Sequence, residues 1–444
     1  MIRPNTGTLH RIVVVGGGAG GLELATRLGD TLGRTGRADV TLVDAALIHV
    51  WKPLLHEIAA GTLSTAEEGL SYLAQGHWHG FGFRLGRVHA VDRAARRVLT
   101  EPTLDESGAE YVPARSIPYD TLVLAVGSVS NDFGIPGVAE HCFFLDAHRQ
   151  ADRFHQHLLR RCYAAHAQEG PLRPGQLHIA IVGAGATGVE LAAELHRSTR
   201  DLVAYGFDRI DPERDLRITL IEAADRILPG LPERLSDLVL RQLREIGVEV
   251  LTGERIVEAT AEGFRTGSGR TLHSEIKVWA AGIKAPGFLA GIDGLQTNRL
   301  NQVMVRSTLQ AIGDDDVFAM GDCAACPMPP DGFVPPRAQA AHQQASLLYR
   351  GLRCRLRGEP LPVFRYVDYG SLINMSRYST VGSLMGNVAR LWSPSWFVEG
   401  TFARIVYLSL YKMHQFAVHG IIRTTLATIA NLLTRRTRPR LKLH

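Results

Sequence analysis

Two strand–glycine-turn–helix units, each followed by a strand ending on a carboxylate, and a basic tail free of acidic residues predict an α/β protein. The expected architecture is two Rossmann-like dinucleotide-binding domains plus a C-terminal membrane-anchoring module with amphipathic helices. The first unit runs from Ile12–Val15 into Gly16, Gly17, Gly18, Ala19, Gly20 and Gly21. The second runs from Ile179–Val182 into Gly183, Ala184, Gly185, Ala186, Thr187 and Gly188. In G-x-G-x-x-G the first glycine permits the tight turn, the second lets backbone approach a pyrophosphate, and the third lets the helix pack on its strand. The helix N-terminus then attracts the anion. One such motif is weak evidence, but the whole unit built twice predicts two bound dinucleotides.

The next strands, Asp39–Asp44 and Leu216–Glu222, end on Asp44 and Glu222, each placed to accept from a ribose diol. Glu222 lies further from its glycines than the usual ~20 residues, because the charged stretch Arg200–Asp215 precedes its strand. A carboxylate there repels a 2′-phosphate and favours NADH over NADPH, with Arg226 nearby moderating the preference. The apolar strand Thr121–Ala125 runs into Gly127 and Ser128 and should bring backbone close to the first cofactor. Gly170–Gly175 marks entry into the second domain, which includes the strand Ile276–Trp279. The strand Val317–Met320, ending at Gly321 and Asp322, has no obvious partner in that second unit and is read as a return to the first. The expected boundaries are 8–130 with 303–358 for the first domain, 131–302 for the second and 359–444 for the C-terminal module. A helix is expected from Arg337 to about Arg350, with Gln339 and Gln343 on one face.

Length 444 suits about three domains. Five cysteines make no disulfide framework and point to a reducing compartment. The N-terminus lacks the apolar core of a signal peptide, and no apolar run nears the ~18 residues of a membrane span. The net charge of +5 is concentrated in the tail: Gly400–His444 holds eight Lys or Arg and no Asp or Glu. Tyr366, Tyr369, Tyr378, Trp392, Trp396, Phe397, Tyr407 and Tyr411 crowd the preceding and overlapping stretch. Ile405, Leu408, Tyr411 and Met413, then Ile421, Ile422, Leu426, Ile429 and Leu433, alternate with cations that cluster at Arg435–Lys442. That pattern describes an interfacial helix on an anionic lipid surface, worth about 1 kcal/mol per cation near the membrane. A core-packing helix with a solvated basic end is the plain alternative. A nucleic-acid tail is disfavoured for want of a groove-reading motif.

The segments Ile12–Gly21, His49–Leu63, Gly188–Leu195, Trp279–Pro286, Gly321–Ala324, Pro335–Gln343 and the closing Arg438–His444 together resemble the bacterial type II NADH:quinone oxidoreductases. The resemblance covers nearly the whole chain, and the segments around Lys52–Glu57 and Ala338–Gln343 are its most diagnostic parts. It implies the two-dinucleotide-binding flavoprotein fold in a single-subunit, membrane-bound enzyme. Such an enzyme carries non-covalent FAD, oxidises NADH and reduces ubiquinone or menaquinone in the respiratory chain without pumping protons. It further implies a homodimer, a peripheral or monotopic position on the cytoplasmic face of the inner (cell) membrane, and neither nucleic acid nor metal. By the same resemblance FAD is assigned to Gly16, Gly17, Gly18, Ala19, Gly20, Gly21, Asp44, Lys52, Val88, Gly127, Asp322, Ala338 and Gln339. NADH is assigned to Gly183, Gly185, Gly188, Glu190, Glu222, Ala281 and Gly282.

Glu190, in the first turn of the second glycine-motif helix, is expected to orient the nicotinamide amide or relay a proton; the helix dipole alone also favours a carboxylate there. Gln339, and with it Gln343, is expected to hydrogen-bond a quinone carbonyl or the flavin edge. Cys323 and Cys326 form a C-x-x-C, open to a redox reading, yet a position directly after Asp322 favours simple packing. His414 and His419 miss the i, i+4 spacing of helical metal pairs. Two rivals carry distinct signatures. A sulfide:quinone oxidoreductase would need separated cysteines such as Cys162 and Cys354 but has no use for the second unit with Glu222. A non-catalytic FAD- and NADH-binding redox sensor would fail to turn over a quinone.

Overall fold

The computed structural model describes residues 9–330, 332–376, 378–384, 396–399, 412, 415, 416, 418, 420–434, 441 and 442. The chain forms two compact units. One comprises Met1–Trp51, Gly69–Val129 and Lys284–Val367, the other Lys52–Glu68, Ser130–Ile283 and Asp368–His444.

In the first unit a five-stranded parallel sheet runs in the order Val317–Ala319, Thr121–Leu124, His10–Val15, Ala38–Asp44, Gly82–Leu85. Ile12–Val15 and Leu122–Leu124 are buried throughout, which is why these strands read as continuous apolar runs rather than alternating ones. The helix Ala19–Leu28 buries Leu22, Leu24, Ala25 and Leu28. It is tied to the helix Ala338–Arg355 by Arg27 donating to Ser346 and by the Glu23–His342 pair at 2.6 Å. That second helix runs beyond the expected Arg350 because Leu347, Leu348 and Leu352 continue its buried face. An antiparallel three-stranded sheet, Val88–Asp92, Arg97–Thr100 and Arg115–Pro118, lies in sequence between the third and fourth parallel strands.

The second unit repeats this order. Its parallel sheet is Ile276–Trp279, His178–Val182, Arg217–Ile221, Glu249–Leu251. Again a three-stranded antiparallel sheet, Ile256–Ala259, Gly263–Thr266 and Thr271–His273, intervenes before the last parallel strand. The helix Ala186–Ala204 buries Val189, Leu191, Ala192 and Leu195 against the sheet. Also in this unit are the antiparallel strands Gly370–Met375, Ser379–Leu384 and Trp396–Glu399 and the helix Ile421–Thr434. Leu441 is buried, and Lys442 is held at both backbone polar groups, its N–H donating to Gly61 and its carbonyl 2.7 Å from His155 Nε2. Ile405, Leu408, Tyr411, Met413, His414, His419 and Arg435–Arg440 lie outside the described residues. Among the described residues no helix is long and apolar enough to cross a membrane.

Candidate functional site

The two glycine turns share their backbone conformation. Gly16 and Gly183 adopt φ of +100° and +102°, a region closed to most side chains. Their N–H groups donate to Val43 and Ile221, the strands that carry the acidic residues. A Cβ on Gly16 would stand 2.4 Å from the Ala125 carbonyl, and one on Gly183 would stand 2.7 Å from Ala280 and Ala281. Ala125 and Ala280 bond back to Val15 and Val182, so Ala125–Gly127 and Ala280–Gly282 are equivalent passes over the two turns. Gly127 and Gly282 both take positive φ, +68° and +65°. The middle glycines differ from the others: a Cβ on Gly18 or Gly185 would meet nothing within 4 Å. Open space in front of the helix N-terminus is what a pyrophosphate needs.

The carboxylates match as well. Asp44 accepts from Gly17 N at 2.6 Å and Ala46 N at 2.8 Å; Glu222 accepts from Ala184 N at 2.8 Å and Ala224 N at 3.0 Å. Each therefore fixes its glycine loop from the far side. Burial pushes the Asp44 carboxyl up against those bonds. Arg226 is committed to the carbonyls of Leu231 and Pro229, so it is not available to a 2′-phosphate in this conformation.

Around the first turn, two residues that the sequence reading did not single out share the Gly17 carbonyl. Tyr72 donates its hydroxyl at 2.8 Å, and His49 Nδ1 lies at 2.8 Å. Tyr72 is buried and stacked on Phe83 at 5.1 Å. Asp322 sits in a short 3-10 turn, Gly321–Cys323, where Ser128 donates to its carboxylate at 2.7 Å and Gln302 to its carbonyl at 2.8 Å. The Gly321 N–H donates to buried Gln344 at 2.6 Å. The only available signal for Gln344 was its glutamine neighbour. Gln343 instead brackets the Val367 backbone, donating to its carbonyl at 2.7 Å and accepting from its N–H at 3.0 Å. These two hydrogen bonds hold the Val367 backbone against the helix. Ala338 opens the helix and Gln339 follows it half-buried. Val88 begins the antiparallel sheet of the first unit with its side chain buried; Lys52, in the second unit, is exposed. Cys323 and Cys326 are buried free thiols, Cys323 pointing at the carbonyls of Met320 and Leu124, with burial raising the two to about 11 and about 12. They pack; a thiol that resists ionisation is a poor redox couple.

Glu190 is buried on the helix Ala186–Ala204, its Oε1 accepting from Asn374 N at 2.9 Å. Burial pushes its carboxyl up to about 8 against that bond, with Glu57 and Glu194 adding to the rise. His56, on the short helix Leu55–Ala59, places Nδ1 3.7 Å from Glu190 Oε2, and burial lowers it to about 4. Glu194 is satisfied separately by Thr62 at 2.5 Å and Arg197 at 2.6 Å. A buried acid that keeps its proton near neutral pH can act as a general acid.

The profile of the pyridine nucleotide-disulphide oxidoreductases matches residues 10–345. A type II NADH:quinone oxidoreductase of Haemophilus influenzae is 44% identical over 98% of this chain and 100% of its own length. The chain belongs to the type II NADH:quinone oxidoreductases. The fold agrees: NDH2 from Plasmodium falciparum, solved in complex with NADH, superposes with a TM-score of 0.79 at 19% identity, covering 98% of this chain and 100% of that one. The sulfide:quinone oxidoreductase of Aquifex aeolicus superposes at 0.71 with 17% identity over 97% of this chain and 96% of that one. At such identities the fold alone is shared. Membership of the type II NADH:quinone oxidoreductases rests on the full-length relative. Cys162, one of the cysteines a sulfide enzyme would require, is a buried thiol raised to about 12.

Proposed function

We infer that the protein oxidises NADH and reduces a membrane quinone, passing two electrons through FAD without pumping protons. The observation that carries the reading is the duplicated cradle, two open glycine turns each backed by a carboxylate, in a chain 44% identical over its length to a named enzyme of this type. When bound, FAD accepts a hydride equivalent from NADH and gives two electrons to the quinone.

The first cradle suits FAD and the second NADH. Gly16 to Gly21 would hold the FAD pyrophosphate and Asp44 its ribose, with Val88, Gly127, Asp322, Ala338 and Gln339 as further contacts. Gly183, Gly185, Gly188 and Glu222 would hold NADH, with Ala281 and Gly282 beside it. Tyr72 and His49 fix the carbonyl of Gly17 and so aim the first loop. Glu190, carrying a proton at neutral pH, supplies it to the quinone half of the reaction. Gln339 remains the amide for a carbonyl of quinone or flavin.

The tail is read as the lipid contact of a peripheral protein. On Ile421–Thr434, Leu426, Ile429 and Leu433 are 62%, 50% and 76% exposed at i, i+3 and i+7, an apolar stripe beside the basic end of the chain. An anionic surface would receive both, and the cytoplasmic face of the inner membrane carries anionic lipid. Homodimer formation through the C-terminal region belongs to the same reading.

The test is anaerobic stopped-flow spectroscopy. NADH should bleach the yellow protein and a short-chain quinone should restore its colour. Failure of NADH to bleach it would overturn the reading, and bleaching without recovery would leave a different acceptor.

A further inference from the structure

Three ionisable side chains of the second unit stand in a row. Glu57 and His56 are neighbours on the helix Leu55–Ala59, and His56 faces Glu190 on the helix Ala186–Ala204. His56 Nε2 is 3.9 Å from Glu57 Oε1 and His56 Nδ1 is 3.7 Å from Glu190 Oε2, so the imidazole stands between two carboxyls with one nitrogen toward each. The row also has a direction. Glu57 is 22% exposed at its side chain, whereas His56 and Glu190 are at 3% and 9%. Glu194 and the Pro53 carbonyl both favour the protonated form of His56 against the effect of burial. The other charges on the packed elements have partners of their own, though Glu194 also acts on both His56 and Glu190. Glu194 is paired with Arg197 and Thr62, Asp152 bonds Thr65 and Lys442, and His155 reaches the Lys442 carbonyl. Asn374 contributes a main-chain donor only.

We propose that Glu57, His56 and Glu190 form a proton relay in which His56 refills the Glu190 carboxyl with protons drawn through Glu57 from water. The inference rests on the reading of Glu190 as proton donor in quinone reduction. The net reaction, NADH + H⁺ + quinone → NAD⁺ + quinol, takes both electrons from NADH and one proton from the medium. As the quinol O–H forms, the Glu190 O–H breaks and leaves a carboxylate. The neutral His56 ring gives the proton on Nδ1 to that carboxylate while its Nε2 takes one from Glu57, itself protonated from water, and a flip of the ring restores the starting tautomer. No oxidant or reductant beyond the two substrates enters. The 3.7 and 3.9 Å separations are longer than hydrogen bonds, so each transfer requires a side-chain movement that shortens its own gap. The resting charges agree, because burial holds Glu190 protonated and His56 neutral near pH 7.

His56→Gln keeps an amide for the Pro53 carbonyl but cannot carry a proton. In the resting FAD-loaded protein, the carboxylic C=O infrared band identified by its loss in Glu190→Gln should exchange hydrogen for deuterium more slowly in His56→Gln and in Glu57→Gln than in the unaltered protein. In turnover, flavin bleaching by NADH should keep its rate while quinone reduction falls by about 100-fold. Free imidazole should restore turnover to His56→Ala and leave His56→Gln slow. Exchange and quinone reduction at unaltered rates in His56→Gln would overturn the relay. If His56 variants lose FAD, Glu57→Gln, at the outer end of the row, decides on the same two readouts. Failure of the unaltered protein to bleach with NADH would instead strike the reading beneath, and the infrared exchange would still report on the relay.

Discussion

The main-chain N–H of Asn374 donates to Oε1 of Glu190 at 2.9 Å, joining the strand Gly370–Met375 to the second glycine-motif helix across 184 residues of sequence. One hydrogen bond does not offset the burial of this carboxyl, whose pKa rises to about 8. Because the folded value lies above the ordinary 4.5, its stabilising contribution is complete below pH 4.5 and is lost as pH rises through 8. Glu190→Gln has no such proton to lose. Urea unfolding of the two proteins at about pH 5 and about pH 8 should show the variant gaining on the unaltered protein by on the order of a few kcal/mol. His56, lowered to about 4, loses its contribution as pH falls below 6.5 in both proteins.

Gly21→Ala and Gly188→Ala should separate the two cofactors. Each new Cβ would stand 1.9 Å from the carbonyl oxygen of the first glycine in its own turn, which forces helix and strand apart. The first variant should purify without FAD. The second should remain yellow and bleach with dithionite, yet show a KM for NADH raised by ~10-fold or more, corresponding to at least about 1.4 kcal/mol.

Tyr72→Phe removes the hydroxyl that donates to the Gly17 carbonyl and leaves His49 as the remaining partner there. A single net hydrogen bond is worth about 1 kcal/mol. FAD release, followed by the return of flavin fluorescence, should be several-fold faster than in the unaltered protein, with the NADH cradle unaffected.

Glu222→Ala takes from the second loop its anchor on Ala184 and Ala224. The KM for NADH should rise by about 10-fold. NADPH should gain little, because Arg226 stays bonded to Leu231 and Pro229. Steady-state kinetics with both nucleotides measure the ratio, and a clear gain for NADPH would show Arg226 turning to the 2′-phosphate.

Replacing Leu426, Ile429 and Leu433 together by Ser should weaken sedimentation with anionic vesicles while leaving turnover of a soluble short-chain quinone intact. Binding of the unaltered protein should fall as salt rises, since the basic tail is screened within about 10 Å at 0.1 M salt. Equal binding by both proteins would place the lipid contact elsewhere.

The paired cradles were legible because their cause is local. A positive φ, a missing Cβ and a strand that ends on a carboxylate leave the same trace wherever they occur, so Gly16, Gly21, Gly183, Gly188, Asp44 and Glu222 stand out in one dimension. Gln343 shows the limit: helical spacing places it beside Gln339, but only packing reveals that it clamps Val367 while Gln344 takes the Gly321 N–H. Side-chain direction on a helix follows from periodicity, whereas the identity of the facing group does not.

The sequence by itself determined two dinucleotide folds, a basic C-terminal end and, through Glu190, an acid at the start of the second helix, since each follows from backbone sterics or charge counted along the chain. The tertiary structure alone decided that Tyr72 and His49 hold Gly17, and that His56 stands between Glu57 and Glu190. His56 and Glu190 are 134 positions apart, and burial rather than residue type decides which of them keeps a proton. Desolvation is a property of the packed surroundings, and those exist only once distant segments have met.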